Sequence, residues 1–199
     1  MTITYALNGS LYVNITNRCS NRCDFCIRNN GDGVGDADSL WLEREPTVAE
    51  ILADIKKNDL SQYKELVFCG YGEPLMRLDA IVAVVRELKK QTKISVRINT
   101  NGQADLIYGR PTSHELEGLI DVVSISLNTP DADSYDRLCH SDYGPSAFDA
   151  LIAYAADCKK YVTTVILTVV DIIPPEDIEK CRAIAASAGV SLRVRKMIE

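Results

Sequence analysis

Cys19, Cys23 and Cys26 fall in the run Cys-Ser-Asn-Arg-Cys-Asp-Phe-Cys, directly after an apolar, strand-like segment. A C-x3-C-x2-C spacing lets three thiolates converge on one metal centre from a single loop. Three do not complete such a centre, because a closed structural zinc site or a fully ligated iron–sulfur cluster takes four protein ligands. The spacing therefore points to a [4Fe-4S] cluster with one iron left open to something other than protein. The loop also carries Arg18, Arg22, Asp24, Arg28 and Asn29, which makes it a poor place to bury three inert thiols. Zinc with a distant fourth ligand is the competing reading, with His114, His140 or another cysteine completing the set. Zinc loops more often carry two C-x2-C or C-x4-C pairs, and here there is no second pair.

The elements that must position this loop alternate in type. Leu11–Asn17 reads as a strand, and the cysteine loop (18–30) follows it. The Gly-, Asp- and Asn-rich stretch from Asn29 to Asp38 opens a segment, 29–45, expected to be a mobile loop. Pro46 and Thr47 open a helix to about Asn58, with apolar positions at Val48, Ile51, Leu52 and Ile55. Glu65–Cys69, Ser95–Asn99, Val122–Leu127, Thr163–Val170 and Ser191–Arg195 read as further strands. Helices are expected at Leu78–Lys90, more weakly at Ser113–Leu119, then at Asp131–Leu138, Ala147–Lys159 and Pro175–Ala188. Six strands separated by helices imply right-handed crossovers and a parallel sheet. The count fits a single α/β domain spanning 1–199, an open partial (β/α)6 barrel with a curved six-stranded parallel sheet and the cluster loop after strand 1.

Parallel strands covered on both faces usually read as continuous apolar runs. Several strands here alternate instead. Val123, Ile125 and Leu127 oppose Ser124, Ser126 and Asn128; Val96 and Ile98 oppose Ser95, Arg97 and Asn99; Leu192 and Val194 oppose Arg193 and Arg195. With the apolar face toward the helices, the inner face is polar and partly cationic, as a cleft for a polar cofactor requires. An antiparallel sheet with one wet face is the plainer alternative. Gly70-Tyr71-Gly72-Glu73-Pro74, Asn99-Thr100-Asn101-Gly102 and Asn128-Thr129-Pro130 all follow strands, so with the cysteine loop they fall at one end of the sheet, where such folds bind ligands.

Length and composition bound the rest. A chain of 199 residues that is 46% apolar and 25% charged is an ordinary globular domain with room for a substantial core. Its net charge of −6 removes a generic attraction to nucleic acid or anionic lipid. Neither a membrane span nor a signal peptide is expected. Seven cysteines without a secretory pattern suit a cytoplasmic, reducing and anaerobic setting.

On Cys19-x3-Cys23-x-Phe25-Cys26, Gly70-Tyr71-Gly72-Glu73-Pro74, Asn99-Thr100-Asn101-Gly102 and Ser124-Ile125-Ser126-Leu127-Asn128, nearly the whole chain resembles the radical S-adenosylmethionine superfamily. More narrowly, Ser126–Tyr135, Thr168–Asp171 and Arg193-Val194-Arg195 resemble the small radical proteins named for gene association with TatD-like hydrolases. The resemblance implies two cofactors, a [4Fe-4S] cluster and S-adenosylmethionine. It also implies reductive cleavage to methionine and a 5′-deoxyadenosyl radical that abstracts hydrogen from a substrate.

By the same resemblance Cys19, Cys23 and Cys26 ligate three irons and Phe25 packs near the adenine. The Gly70–Glu73 backbone, with Gly70 and Gly72 allowing close approach, accepts from the methionine ammonium, and Glu73 adds charge or braces the loop. The superfamily's usual motif is Gly-Gly-Glu, and Tyr71 interrupts it here. Asn99, Ser126 and Asn128 suit ribose or carboxylate contacts, or are simply polar strand ends. Arg193 and Arg195 suit the methionine carboxylate or an anionic substrate, or solvent at a frayed end. Thr168 and Val170 fall near the adenine. No catalytic residue stands out. Cys69 and Cys139 are conceivable hydrogen-atom donors, with packing the plainer role, and Tyr143-Gly144 is a candidate substrate loop. The expected partners are a flavodoxin or ferredoxin electron donor, a small-molecule or peptide substrate and a TatD-like hydrolase. Two alternatives remain: an activating enzyme that makes a radical on a protein partner, and an iron–sulfur sensor without turnover.

Overall fold

Thr4–Leu7 (β1) and Ser10–Val13 (β2) form an antiparallel hairpin. It turns at Asn8 and Gly9, whose φ values of 51° and 77° are both positive, as a two-residue hairpin turn of the primed type demands. The computed structural model describes residues 1–29 and 33–197. Beyond the hairpin come Glu65–Phe68 (β3), Ser95–Thr100 (β4), Val122–Ser126 (β5), Thr164–Val170 (β6) and Ser191–Arg195 (β7). Among the described residues the seven strands lie in one sheet in chain order, and every pairing from β2 onward is parallel. The expected six strands are therefore seven, and the cysteine loop follows the second strand, not the first. The additional strand is the antiparallel β1. It and β7 stand at the two ends of the sheet, which is not closed into a barrel.

The helices are Val48–Ile55 (α1), Leu78–Lys89 (α2), Ala104–Tyr108 (α3), Ala132–Cys139 (α4), Ser146–Cys158 (α5) and Pro175–Ser187 (α6). Local chemistry sets their starts. Thr47 caps α1 in a reciprocal box with Glu50. The Asp131 carboxylate accepts from Ser134 N at 2.8 Å to open α4, and Pro175 opens α6 where no donor is needed. Two expectations shift. The helix expected at Ser113–Leu119 is a short 3-10 turn, Ser113–Leu116. The unanticipated α3 sits between Gly102 and Gly109, both at positive φ.

From β2 to β6 the period-two pattern sorts the strands as expected; in β7 Leu192 is half-buried and Val194 is exposed, so the expected apolar face is not covered there. Leu11, Val13, Leu66, Phe68, Val96, Ile98, Val123, Ile125, Leu167 and Val169 are buried in one apolar cluster with Ile51, Ile81, Val85 and Leu151 of the helices. Each such side chain contributes roughly 1.5–3 kcal/mol on burial. The opposite face carries Tyr12, Arg97, Asn99, Ser124, Ser126, Thr168 and Arg193. At its floor Arg97 donates to Glu65 through Nε at 3.1 Å and Nη2 at 2.6 Å.

Past Val13 the strand expected to reach Asn17 has already ended. Asn14 and Asn17 instead reach the chain around residues 40–42: Asn14 Nδ2 donates to Leu40 O and Asn17 Nδ2 to Leu42 O, each at 2.7 Å. Of the segment 29–45, expected to be mobile, residues 30–32 lie outside the described residues. Leu40 and Leu42 in the remainder are buried.

Candidate functional site

A cleft of about 220 Å³ opens at the carboxyl ends of the parallel strands. Cys19, Cys23 and Cys26 line it, as do Phe25, Gly70, Gly72, Glu73, Asn99, Ser126, Asn128 and Arg193. The structure thus brings these expected residues together at one cleft, and leaves the candidates Cys139 and Tyr143 outside it. Thr168, Val170, Cys69 and Arg195 also line it. Cys139 does not belong to the lining; it is buried beneath the cysteine loop, where its thiol is hydrogen-bonded with Cys23 and accepts from Asn128 Nδ2 at 3.5 Å. Tyr143 packs against the main core, away from the lining. Asn21, Tyr71, Thr100, Asn101, Ser124, Lys196 and Met197 also line the cleft and were not singled out from sequence as site residues.

The glycines are required by the protein's own packing. A Cβ on Gly72 would lie 2.3 Å from Thr16 O and 2.6 Å from Arg18 O, both backbone atoms. On Gly70 it would lie 2.0 Å from Asn14 Oδ1. The loop after β3 therefore rests directly on the segment leading into the cysteines, and Glu73 N donates to Arg18 O at 2.8 Å. Tyr71, which interrupts the two glycines, fills a separate small apolar cluster with Tyr5 and Leu40 and meets Trp41 edge-on at 5.0 Å.

Glu73 braces this loop from inside. Its Oε1 accepts from Leu75 N at 2.9 Å and Thr100 Oγ1 at 2.8 Å, and its Oε2 from Asn101 N at 2.7 Å. Burial lifts its pKa from the usual 4.5 to about 7, against the lowering effect of those donors.

A second buried network fixes the underside of the cysteine loop, and its hub, Gln103, is fully buried. Gln103 Oε1 accepts from Ser20 Oγ at 2.8 Å and Ser141 Oγ at 3.1 Å. Its Nε2 donates to Asn21 Oδ1 at 2.9 Å and to the Tyr135 hydroxyl at 3.1 Å. Asn101 Nδ2 donates to Ser20 Oγ at 2.8 Å, which joins this network to Glu73. The backbone adds Arg22 N to Cys139 O at 2.9 Å and Asp142 N to Ser20 O at 2.8 Å. Each of these links joins residues far apart in sequence, so no local periodicity announces them.

The donor set fits a cluster with an open iron better than a single ion. The three thiols of the cysteine loop line the cleft, and neither histidine is among its lining residues. His140 Nε2 is instead 2.8 Å from Asp24 Oδ1, and His114 packs on Tyr161, so neither completes a zinc set. Burial pushes the Cys19 thiol up to about 12; coordination by a metal deprotonates a thiol outright in such surroundings. The wall opposite the cysteines also presents polar atoms with nothing to bind. Asn99 Oδ1 and Asn128 Oδ1 are buried without a hydrogen-bond partner, and both residues face the cleft. Buried polar atoms of this kind call for a ligand or ordered water. Asn128 is held there at φ 62°, a left-handed geometry uncommon outside glycine.

Comparison with known proteins agrees with this geometry. The family model described as "Radical SAM superfamily" matches residues 13–183. The chain is 27% identical over 147 residues to the probable dual-specificity RNA methyltransferase RlmN of Trichormus variabilis, an alignment covering 72% of this chain and 38% of that protein. It is 32% identical over 139 residues to GTP 3′,8-cyclase of Corynebacterium glutamicum, covering 66% of this chain and 34% of the relative. The alignments thus span little more than a third of the curated relatives' length. Among solved structures, Streptococcus suis SuiB bound to precursor peptide SuiA superposes with a TM-score of 0.66 at 16% identity, covering 98% of this chain and 41% of that one. SuiB bound to S-adenosylmethionine gives 0.61 at 17% identity, covering 96% and 38%.

Proposed function

We propose, from the premise that the chain belongs to the radical SAM superfamily, that it is an enzyme abstracting a hydrogen atom from a substrate by way of S-adenosylmethionine. The superfamily uses a [4Fe-4S] cluster and S-adenosylmethionine as cofactors. When bound, they supply one-electron cleavage of the sulfonium–C5′ bond, giving methionine and a 5′-deoxyadenosyl radical that takes a hydrogen atom from the substrate. The observation carrying this reading is that the three cysteines, the Gly-Tyr-Gly-Glu loop and the orphaned Asn99 and Asn128 oxygens all line one cleft.

In this reading Cys19, Cys23 and Cys26 hold three irons of the cluster. Gly70 to Glu73 present main chain to the methionine ammonium, and Phe25 packs on the adenine. Asn99, Ser126 and Asn128 bind ribose hydroxyls or the carboxylate. Glu73 works from behind the loop, since its oxygens already take three donors. Thr168 and Val170 complete the wall near the base. A flavodoxin- or ferredoxin-type donor supplies the electron, and the substrate is a small molecule or a peptide. We place the chain with the small proteins associated with TatD-like hydrolases on residues 126–135, 168–171 and 193–195, and read 1–199 as one core domain. Among the described residues no helix is long and apolar enough to cross a membrane; a reducing cytoplasm suits the cysteine-rich site.

Anaerobic reconstitution is expected to give about four irons and four sulfides per chain, as a [4Fe-4S] cluster requires. Dithionite with S-adenosylmethionine is then expected to release 5′-deoxyadenosine, and Cys23→Ala to lose the cluster. Zinc uptake without sulfide, or a full cluster in Cys23→Ala, would end this reading.

A further inference from the structure

We infer that the β7 side of the cleft is a subsite for an anionic group of the substrate, a carboxylate or phosphate, gripped by Arg193 and Arg195. The inference rests on the proposed function for the identity of the cofactors next to it. Its physical basis is an unbalanced charge. Arg97, Arg193 and Arg195 lie on the inner face of the sheet; Arg193 is exposed, and its partial desolvation with the neighbouring charges of Arg97 and Arg195 holds it below the usual guanidinium range.

Among the described residues, only Arg97 of the three has an acid to match it, in the two-bonded pair with Glu65. Neither Arg193 nor Arg195 makes a salt bridge with another described residue. Glu73, the carboxylate on the cleft wall, is turned inward and fully engaged. Arg193 Nη2 donates to Ser124 Oγ at 3.3 Å, which aims the guanidinium across the cleft while leaving its charge uncompensated. Arg195 Nε is buried with no hydrogen-bond partner at all. A buried guanidinium donor left unpaired costs free energy unless something binds it.

The cofactors do not use up this charge. A cubane on three thiolates is a net monoanion in its oxidised form, and S-adenosylmethionine, with sulfonium, ammonium and carboxylate, is a net monocation, so together they are neutral. What remains is a pair of planar forks suited to two-point recognition of carboxylate or phosphate. They lie on the inner face of an otherwise acidic chain of net charge −6. The register places them in line with the inner side chains of β6, Arg193 beside Thr168 and Arg195 beside Val170. A substrate held there by its anion would lie across the cleft from the cysteine loop.

The test titrates inorganic phosphate and, separately, succinate into the reconstituted, S-adenosylmethionine-loaded protein and reads binding by calorimetry. Wild type is expected to bind one of the two saturably, which also tells phosphate from carboxylate. Arg193→Gln and Arg195→Gln are each expected to weaken that binding roughly ten- to a hundredfold, the range for hydrogen bonds to charged groups. Affinity for S-adenosylmethionine is read in the same variants, to tell the two candidate ligands of these arginines apart. Arg195→Lys, which keeps the charge but loses the fork, should fall between and guards against a variant that does not fold. Absence of saturable binding of either anion would overturn the inference. So would a loss of S-adenosylmethionine affinity in the variants, since the arginines would then hold the methionine carboxylate. If no cluster assembles, the proposed activity fails; arginine-dependent anion binding by the cluster-free chain would still support the subsite.

Discussion

The two walls of the cleft are built on opposite principles. On the wall from β2 to β4, the motif loops are bonded to other parts of the protein: Glu73 takes three donors, and Gln103 ties Ser20, Asn21, Tyr135 and Ser141 into one buried lattice, with Asn14 Oδ1 and Asn99 Oδ1 left unpaired. On the wall from β5 to β7, polar atoms stand unpaired: Asn128 Oδ1, Arg195 Nε and the charge of Arg193. A site wall closed upon itself rigidifies what it holds, at the cost of tolerating no change. A wall left unsatisfied is stable only to the extent that its occupant completes it. We read the difference as a division of labour, with the bonded wall fixing the cysteine and Gly-Tyr-Gly-Glu loops and the β7 arginines left to meet the anion proposed above.

The largest expected effect breaks the closed wall. Gly72→Ala would drive a methyl into two backbone carbonyls that cannot turn away, whereas the Cβ of Gly144→Ala would meet nothing within 4 Å. Gly72→Ala is expected to cost on the order of 4 kcal/mol in urea unfolding. Gly144→Ala should cost only about 1 kcal/mol, from its φ of 57°. Equal costs would remove the claim that the loop is seated on backbone.

The next effect is in pH. A folded-state pKa of about 7 for Glu73, above the usual 4.5, means the native state holds that proton more tightly than the unfolded chain. Its contribution to stability is full below the unfolded value and is lost as pH rises to about 7, by up to about 3 kcal/mol. Glu73→Gln should flatten this fall, read as the difference in urea midpoints between pH 5 and pH 8. A fall of the same size in the variant would assign the slope to other groups. Smallest is the change on the open wall. Arg195→Gln should alter stability by less than about 1 kcal/mol, because it breaks no bond within the fold; a larger loss would mean that Arg195 is structural.

Much of this was legible in the sequence because it is local. Period-two alternation assigned Ser124, Ser126, Asn99 and Arg193 to the inner face, and the order of turns placed the motif loops at one end. The hairpin is legible too, since Asn8-Gly9 is a strong turn signal. What lay beyond reach was long-range complementarity. The glycines at 70 and 72 suggest room for a ligand, yet the space beside them belongs to Asn14, Thr16 and Arg18. Gln103 carries no mark of its role, because its partners lie 32 to 83 positions away. The interruption by Tyr71 likewise makes sense only once Tyr5 and Leu40 are folded against it.

Because strand order follows chain order, β7 has a neighbour on one flank only among the described residues. Its other flank offers bare N–H and C=O groups, a template on which strands from other molecules can grow into aggregates. Alternate arginines, followed at once by Lys196, give that flank a repulsive charge that discourages such pairing. The residues suited to capturing a substrate anion thus double as gatekeepers, and neutralising both should leave a chain that folds but clumps.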